Sequence, residues 1–271
     1  MQGISLRLTK SERKRIKALQ TSKGRIEYRQ FIAEGTRLLE ECLRHRFMPL
    51  NIYYAPTLIN DRAAALIKKF TRFRVSVVSI SSRDIAFISP TATSQGIIGL
   101  FEIPDRNCRD LLKSPKVNRI LLLDMISDPG NAGNLIRSAV AYAFDLVLIR
   151  PNSVDPFNPR VVRATAGAIF AVDIAILDDL ELEFLKKSGR FLILAADPKG
   201  EDMYQALNKM KDKFILTLGA EAAGLSPEIL KITDLSIRVP HSSKAESLNV
   251  AAAGSIIMNE LFNKNILRRK K

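Results

Sequence analysis

The chain is expected to fold as an α/β protein, with a parallel-sheet domain in its C-terminal part and a smaller α/β domain before it. Three observations carry this expectation. Continuous apolar runs recur after residue 118, at Ile120-Leu121-Leu122-Leu123-Asp124, Leu146–Ile149, Phe191–Ala195 and Phe214–Leu218. Runs without polar alternation belong to strands buried on both faces. Helical stretches lie between them, as the crossovers of a parallel sheet require. The length of 271 residues favours two domains at about 100–200 residues each, and 46% hydrophobic residues suffice for two cores.

Taken in order, residues from about Ser5 to Leu50 read as helices. Arg29-Gln30-Phe31-Ile32-Ala33-Glu34-Gly35 leads into Thr36–Leu43, where apolar positions recur at helical spacing. Strand-like runs at Asn51–Tyr54, Arg74–Val78 and Ile97–Phe101 flank a helical segment at Ala63–Phe70, completing a first domain over residues 1–105. Pro104-Asp105-Arg106-Asn107 through Ser114-Pro115-Lys116 is polar and broken by proline, so residues 106–117 are assigned as a linker and 118–271 as the second domain. Within the second domain, helices are expected at Ala132–Phe144, Pro159–Gly167 and Ser226–Lys231. The last of these has a serine cap and proline at its first position. A final helix is expected from Leu248 to about Asn263.

Lys and Arg number 42 against 28 Asp and Glu, a formal net charge of +14, which is the electrostatic footprint of a polyanion partner such as nucleic acid. The charge is clustered. Arg7, Lys10, Arg13, Lys14, Arg15, Lys17, Lys23, Arg25 and Arg29 crowd one end, and Arg268 to Lys271 form a second basic end. Cys42 and Cys108 have no CxxC spacing, and His45 and His241 form no metal-binding pair, so no protein-built metal site is expected. No secretory leader and no membrane-length apolar run is apparent, which makes a soluble, reducing, cytoplasmic compartment the default.

In an open parallel sheet, ligands bind outside the carboxyl ends of the strands, so the loops after Asp124, Leu218 and Val239 are the places to look. The first carries Ser127–Asn134 and then Arg137. Asn131 reads either as a cap of the following helix or as a functional amide, and Asn134 and Arg137 share a face with Ser138 and Ala141. The second, Gly219–Ser226, has glycines that let a backbone approach a ligand closely. Neither GxGxxG nor GxxxxGK[ST] is present, so no dinucleotide or nucleoside triphosphate fingerprint is seen. The third is Val239-Pro240-His241-Ser242-Ser243-Lys244-Ala245-Glu246-Ser247-Leu248-Asn249-Val250, polar residues held between an apolar strand and an alanine-rich helix.

The ordered set Asn131-x-Gly133-x-x-x-Arg137, Asn158-Pro159 through Ala168, Gly219-x-Glu221-x-x-Gly224-x-Ser226 and Glu246-Ser247-Leu248-Asn249-Val250 resembles the SpoU/TrmH family of RNA ribose 2'-O-methyltransferases, within the SPOUT superfamily. Phe31–Gly35 and Thr93–Ile97 are similar to the ribosomal-protein-like substrate-binding domain that often precedes this catalytic domain. The resemblance implies a deep trefoil knot in the C-terminal domain, which periodicity alone does not indicate. It implies S-adenosylmethionine as cofactor, held by Leu218, Gly219, Val239, Pro240 and Leu248. It makes Asn131, Arg137, Glu221, Ser247 and Asn249 the catalytic set, and it implies a homodimer built on the final helix. The chain departs from the common family pattern at Ser243, where glycine is usual, and at Thr165, where serine is usual.

Methyl transfer from a sulfonium needs the ribose hydroxyl held in line and relieved of its proton. Resemblance puts Arg137 in the place of the base, yet a guanidinium titrates above about 12, so two roles stay open: proton acceptor in the assembled complex, or electrostatic clamp on the developing alkoxide. Asn131 and Asn249 are suited to hold the ribose or orient Arg137, Ser247 to hydrogen-bond the hydroxyl, and Glu221 to fix one of these groups. Arg160, Arg163 and the basic arm with Arg13, Lys14 and Arg15 are the candidate contacts to RNA phosphate. Ribosomal RNA is the preferred substrate. Transfer RNA, a noncatalytic RNA-binding or ribosome-assembly role on the same fold, and a nucleotide-dependent oxidoreductase are the competing readings.

Overall fold

Capping side chains set many of the element boundaries. Thr9 accepts the Glu12 backbone N–H while the Glu12 carboxylate accepts that of Thr9 at 2.9 Å, a reciprocal box that starts the first helix. Asn60, Ser81, Asn107, Asp128 and Asp178 accept first-turn N–H groups in the same manner further along. The computed structural model describes residues 8–221 and 223–269. Arg7, Lys270 and Lys271 of the two basic ends, and Ala222 of the second loop, lie outside the described residues.

In chain order the elements are α1 (Lys10–Ala18), α2 (Ser22–Tyr28), β1 (Gln30–Glu34), α3 (Thr36–Arg44), β2 (Asn51–Tyr54), α4 (Asp61–Arg72), β3 (Ser76–Ser79), α5 (Ser82–Ile88) and β4 (Ile97–Glu102). They continue with α6 (Cys108–Lys113), β5 (Arg119–Leu123), α7 (Pro129–Ala141), β6 (Leu146–Ile149), α8 (Pro159–Ala164), β7 (Asp173–Ile176), α9 (Asp179–Ser188) and β8 (Leu192–Asp202). The last are α10 (Met203–Ala206), β9 (Phe214–Leu218), α11 (Pro227–Leu230), β10 (Leu235–Arg238) and α12 (Val250–Arg269).

The chain divides into two compact units, one comprising residues up to Asp105 together with Phe157–Ala171, the other Arg106–Pro156 and Val172 onward. The first unit is built on a sheet of order β1-β4-β2-β3, antiparallel except for the parallel pair β2 and β3. Gln30–Glu34, read from sequence as the lead-in to a helix, is the edge strand β1. Arg29 ends α2 in the left-handed region at φ 49°, which stops the helix, and Phe31 and Ile32 then pair with Phe101 and Leu100 of β4.

The packing departs from the sequence boundaries at two places. Residues 157–171 belong to the first unit, because the rings of Phe157 and Phe170 join Phe31, Phe47 and Phe101 with centroids 4.9 to 6.4 Å apart. Residues 106–117, assigned as a linker, carry α6 instead. Cys108 and Leu112 on one face of it are buried in the core of the second unit with Ile120, Leu148 and Leu185.

The second unit is a six-stranded, all-parallel sheet of order β10-β8-β9-β5-β6-β7. β5, β6 and β9 match three of the apolar runs and the fourth opens β8, which continues through polar residues to Asp202, while the edge strands β7 and β10, each carrying polar residues, were not singled out. Between Ser236 and Ile237 of β10 the pairing jumps from Ala195 to Glu201 of β8, so residues 196–200 bulge from the ladder. Among the described residues no helix is long and apolar enough to cross a membrane.

Candidate functional site

β5 and β9 are neighbours at the centre of the sheet, with β6 and β7 on one side and β8 and β10 on the other. The chain direction of winding changes there, and the crevice beyond those strand ends is where open α/β sheets hold ligands. The loop after β9 is a tight hairpin. Ala220 N–H donates to the Gly224 carbonyl at 2.9 Å and Gly224 N–H to the Ala220 carbonyl at 2.8 Å. A Cβ on Gly219 would stand 2.4 Å from the Gly224 backbone, and Gly224 has φ 69°, so glycine is needed at both positions. The base of the hairpin is pinned by Asp124, fully buried, whose Oδ2 accepts the Ser226 N–H at 2.6 Å.

This hairpin presents Glu221 to two other segments. Glu221 Oε1 accepts from Asn249 Nδ2 at 2.6 Å, from Asn131 Nδ2 at 3.2 Å and from the Val250 N–H at 3.3 Å. Asn249 Nδ2 also donates to Asn131 Oδ1 at 3.0 Å, which closes a ring of three side chains 90 and 118 residues apart along the chain. Their orientations are determined by the helices. Asn249 caps α12, its Oδ1 accepting the Ala251 and Ala252 N–H groups, so Nδ2 must face Glu221. Asp128, not Asn131, caps α7, accepting the Asn131 N–H at 2.7 Å. That leaves the Asn131 amide for the ring.

A cleft of about 120 Å³ lies behind the ring. Leu218, Gly219, Val239 and Leu248 line it, together with Glu221 and Ser247, whereas Pro240 stands outside its lining. Among its other walls, Ala196, Asp197 and Pro198 from the β8 bulge and Ala253 and Ile257 from α12 were not foreseen. Asp197-Pro198-Lys199-Gly200 is a turn signature that marks the bulge in the sequence. Mostly apolar walls with a few polar groups suit a small organic ligand.

Arg137 faces a second, shallower groove with Asn134, Ser138, Ala141, Asn249 and Ser255. The face predicted for α7 is therefore the exposed one, and Asn249 belongs to the groove while its neighbours Leu248 and Val250 line the cleft. No hydrogen bond or ion pair engages the Arg137 guanidinium among the described residues. The groove is built by α7 packed on α12. Ser138 and Ser255 hydroxyls meet at 2.8 Å, and a Cβ on Gly254 would stand 2.5 Å from Leu135, so the two helices approach to the limit glycine allows.

The candidate RNA contacts divide. Arg160 and Arg163 are exposed on α8. Arg13 is engaged within its own unit, paired to Asp84 at 3.2 Å with its guanidinium 4.5 Å from the Phe87 ring, and Arg15 lies beside the Tyr53 hydroxyl. Lys14 is exposed. Ser243 and Lys244 are exposed in the loop before α12, and Thr165 is buried, donating to the Val162 carbonyl at 2.7 Å.

A parallel sheet with an apolar-walled cleft at its switch point and a ring of polar side chains at the rim defines an enzyme of the α/β class. The SpoU rRNA Methylase family profile matches residues 118–259, and that of the MRM3-like substrate binding domain matches residues 10–99. The chain belongs to the SpoU rRNA Methylase family. It is 29% identical over 257 residues to the 23S rRNA (guanosine(2553)-2'-O)-methyltransferase RlmP of Bacillus subtilis, covering 90% of this chain and 93% of that one. The crystal structure of the AdoMet-bound rRNA methyltransferase from Sinorhizobium meliloti is 27% identical with a TM-score of 0.80, over 94% of this chain and 96% of that one. The SpoU methyltransferase AviRb from Streptomyces viridochromogenes, at 20% identity and a TM-score of 0.81 over 95% and 99%, shares the fold.

Proposed function

We propose that the protein transfers a methyl group from S-adenosylmethionine to a ribose 2'-hydroxyl of ribosomal RNA. The observation that carries the reading is the ring of Asn131, Glu221 and Asn249, which joins the rim of the cleft to the groove of Arg137. Bound in the cleft, S-adenosylmethionine supplies an electrophilic methyl group. Leu218, Val239, Leu248 and Ile257 offer apolar walls for its adenine, and the Gly219 backbone permits close approach.

Glu221 holds the two amides, so that the segment from Ser247 to Val250 keeps a single geometry between cleft and groove. Ser247 at the cleft accepts or donates to the attacking hydroxyl. Arg137 acts as an electrostatic clamp: its charged, unpaired guanidinium stabilises the negative charge on the 2'-oxygen as the hydroxyl proton passes to solvent water and the C–S bond of the donor breaks, leaving S-adenosylhomocysteine. The excess of positive charge and the first unit, which matches a substrate binding domain, supply affinity for RNA. Ile256, 37% exposed on α12, supports the use of that helix as the contact between two copies in a homodimer. The absence of a membrane-length helix among the described residues accords with action in the cytoplasm.

The test is transfer of labelled methyl from S-adenosylmethionine to total cellular RNA, followed by nuclease mapping of the modified ribose. Arg137→Ala is expected to lower transfer about 100- to 1,000-fold while cofactor affinity stays near wild type. Label found on transfer RNA alone would replace the ribosomal substrate, and RNA binding without any transfer would leave a noncatalytic role.

A further inference from the structure

The first unit contains a pocket with no part in the methyl transfer just described. It has a volume of about 410 Å³, open to solvent on one side, and is lined by Leu38, Ala92, Thr93, Arg160, Val162 and Arg163 among others. One wall is rigid. Glu34, 8% exposed, accepts from Ser89 Oγ at 2.7 Å, Thr91 Oγ1 at 3.1 Å, Ser94 Oγ at 2.5 Å and the Gln95 N–H at 2.9 Å, so the loop of residues 89–95 is tied to β1 through both carboxylate oxygens. Its negative charge is shared among four donors, and neither arginine is drawn to it.

Arg160 and Arg163 stand three residues apart on α8, both exposed, and no hydrogen bond or ion pair engages either guanidinium among the described residues. Two unpaired guanidiniums beside apolar side chains and a threonine hydroxyl match the parts of a nucleotide. The planar forks suit phosphate oxygens, the apolar and guanidinium faces suit a base, and the hydroxyl suits a ribose. The residues that build the site come from distant parts of the chain: α8 is joined to the loop of residues 89–95 only through packing within this unit.

We propose that this pocket holds one nucleotide of the substrate RNA, at a position other than the methylated one, with its phosphate on Arg160 and Arg163. This rests on the reading that RNA is the substrate. A phosphate patch alone needs only charge, whereas a nucleotide pocket also needs room, and the two requirements are separable.

The experiment uses the full chain and a fluorescently labelled RNA hairpin, with anisotropy recorded over a range of salt. The double variant Arg160→Gln, Arg163→Gln is expected to weaken binding about 10- to 100-fold and to reduce the salt slope by about 1 to 2. Ala92→Phe, which fills the pocket at constant charge, is expected to weaken binding about tenfold with the slope unchanged. Ala92→Leu replaces it if the thermal midpoint shows that phenylalanine unfolds the unit. Wild-type affinity in the filled variant overturns the proposal, as does an unchanged slope in the arginine pair. Methyl transfer is read in parallel. If wild type transfers no methyl while both variants lose RNA as expected, the pocket stands and the methyltransferase reading fails; if affinity is untouched while transfer proceeds, the reverse holds.

Discussion

Two glutamates organise the two units, and they do so in opposite surroundings. Glu34 is buried and accepts four hydrogen bonds, three from hydroxyls, all within one strand-and-loop junction. Glu221 is exposed at the tip of a hairpin and accepts three, all on one oxygen, from two asparagines and a helix N–H. A buried carboxylate whose donors are deleted, or which is itself removed, leaves orphaned groups that water cannot reach, so Glu34 is part of the fold's stability. An exposed carboxylate has water as a substitute, so what Glu221 contributes is position rather than stability. Two similar-looking acids in glycine-containing motifs thus divide the labour between holding the first unit together and aiming the site of the second.

The largest effect expected from this contrast is on Glu34. Glu34→Ala should cost about 3 kcal/mol in urea unfolding, since four donors lose their acceptor, and a loss below about 0.5 kcal/mol would break the comparison. Glu221→Gln should do the reverse. Methyl transfer should fall about 10- to 100-fold while stability moves by less than about 0.5 kcal/mol. Asn249→Ala sharpens the distinction further, because it removes both an amide of the ring and the cap of α12. Its stability loss should be about 1 kcal/mol, read from the thermal midpoint, beside a fall in transfer like that of Glu221→Gln.

The smallest effect concerns the two thiols, one in each unit. Burial pushes Cys42 and Cys108 up to about 12, so neither should react with a thiol reagent at pH 8 until its unit unfolds. The sign for stability follows: with the folded values raised above the ordinary 9.0, their contribution is intact below that pH and is lost as pH climbs toward 12. Rapid labelling of one cysteine under native conditions would identify the unit that opens first.

Much of the second unit was legible because its strands are buried on both faces. Leu146–Ile149 is apolar from end to end and Phe214–Leu218 is interrupted only by the buried Thr217, and the two coincide with β6 and β9. Gln30–Glu34 misled because five residues with three apolar ones fit a strand or a helix turn equally, and only pairing with β4 decides. The placement of residues 157–171 with the first unit depends on Phe157 and Phe170 finding partners more than 50 residues away, which no local pattern encodes. In the site, Asp128 was readable as the cap of α7, since Pro129 follows it at the first helical position. The meeting of Asn131, Glu221 and Asn249 was reachable only through motif resemblance. The wall at Ala196–Pro198 was not reachable that way, because it exists only where β8 slips against β10.

The first turn of α12 separates two cavities by the thickness of one backbone. Ser247, Leu248 and Val250 line one of them, Asn249, Ala251 and Ala252 the other. Such a partition cannot tilt toward one side without receding from the other. On the proposed function, an occupant of the donor side that shifts this backbone alters the shape met by an arriving nucleic acid, and linkage then requires the nucleic acid to return the influence in equal measure.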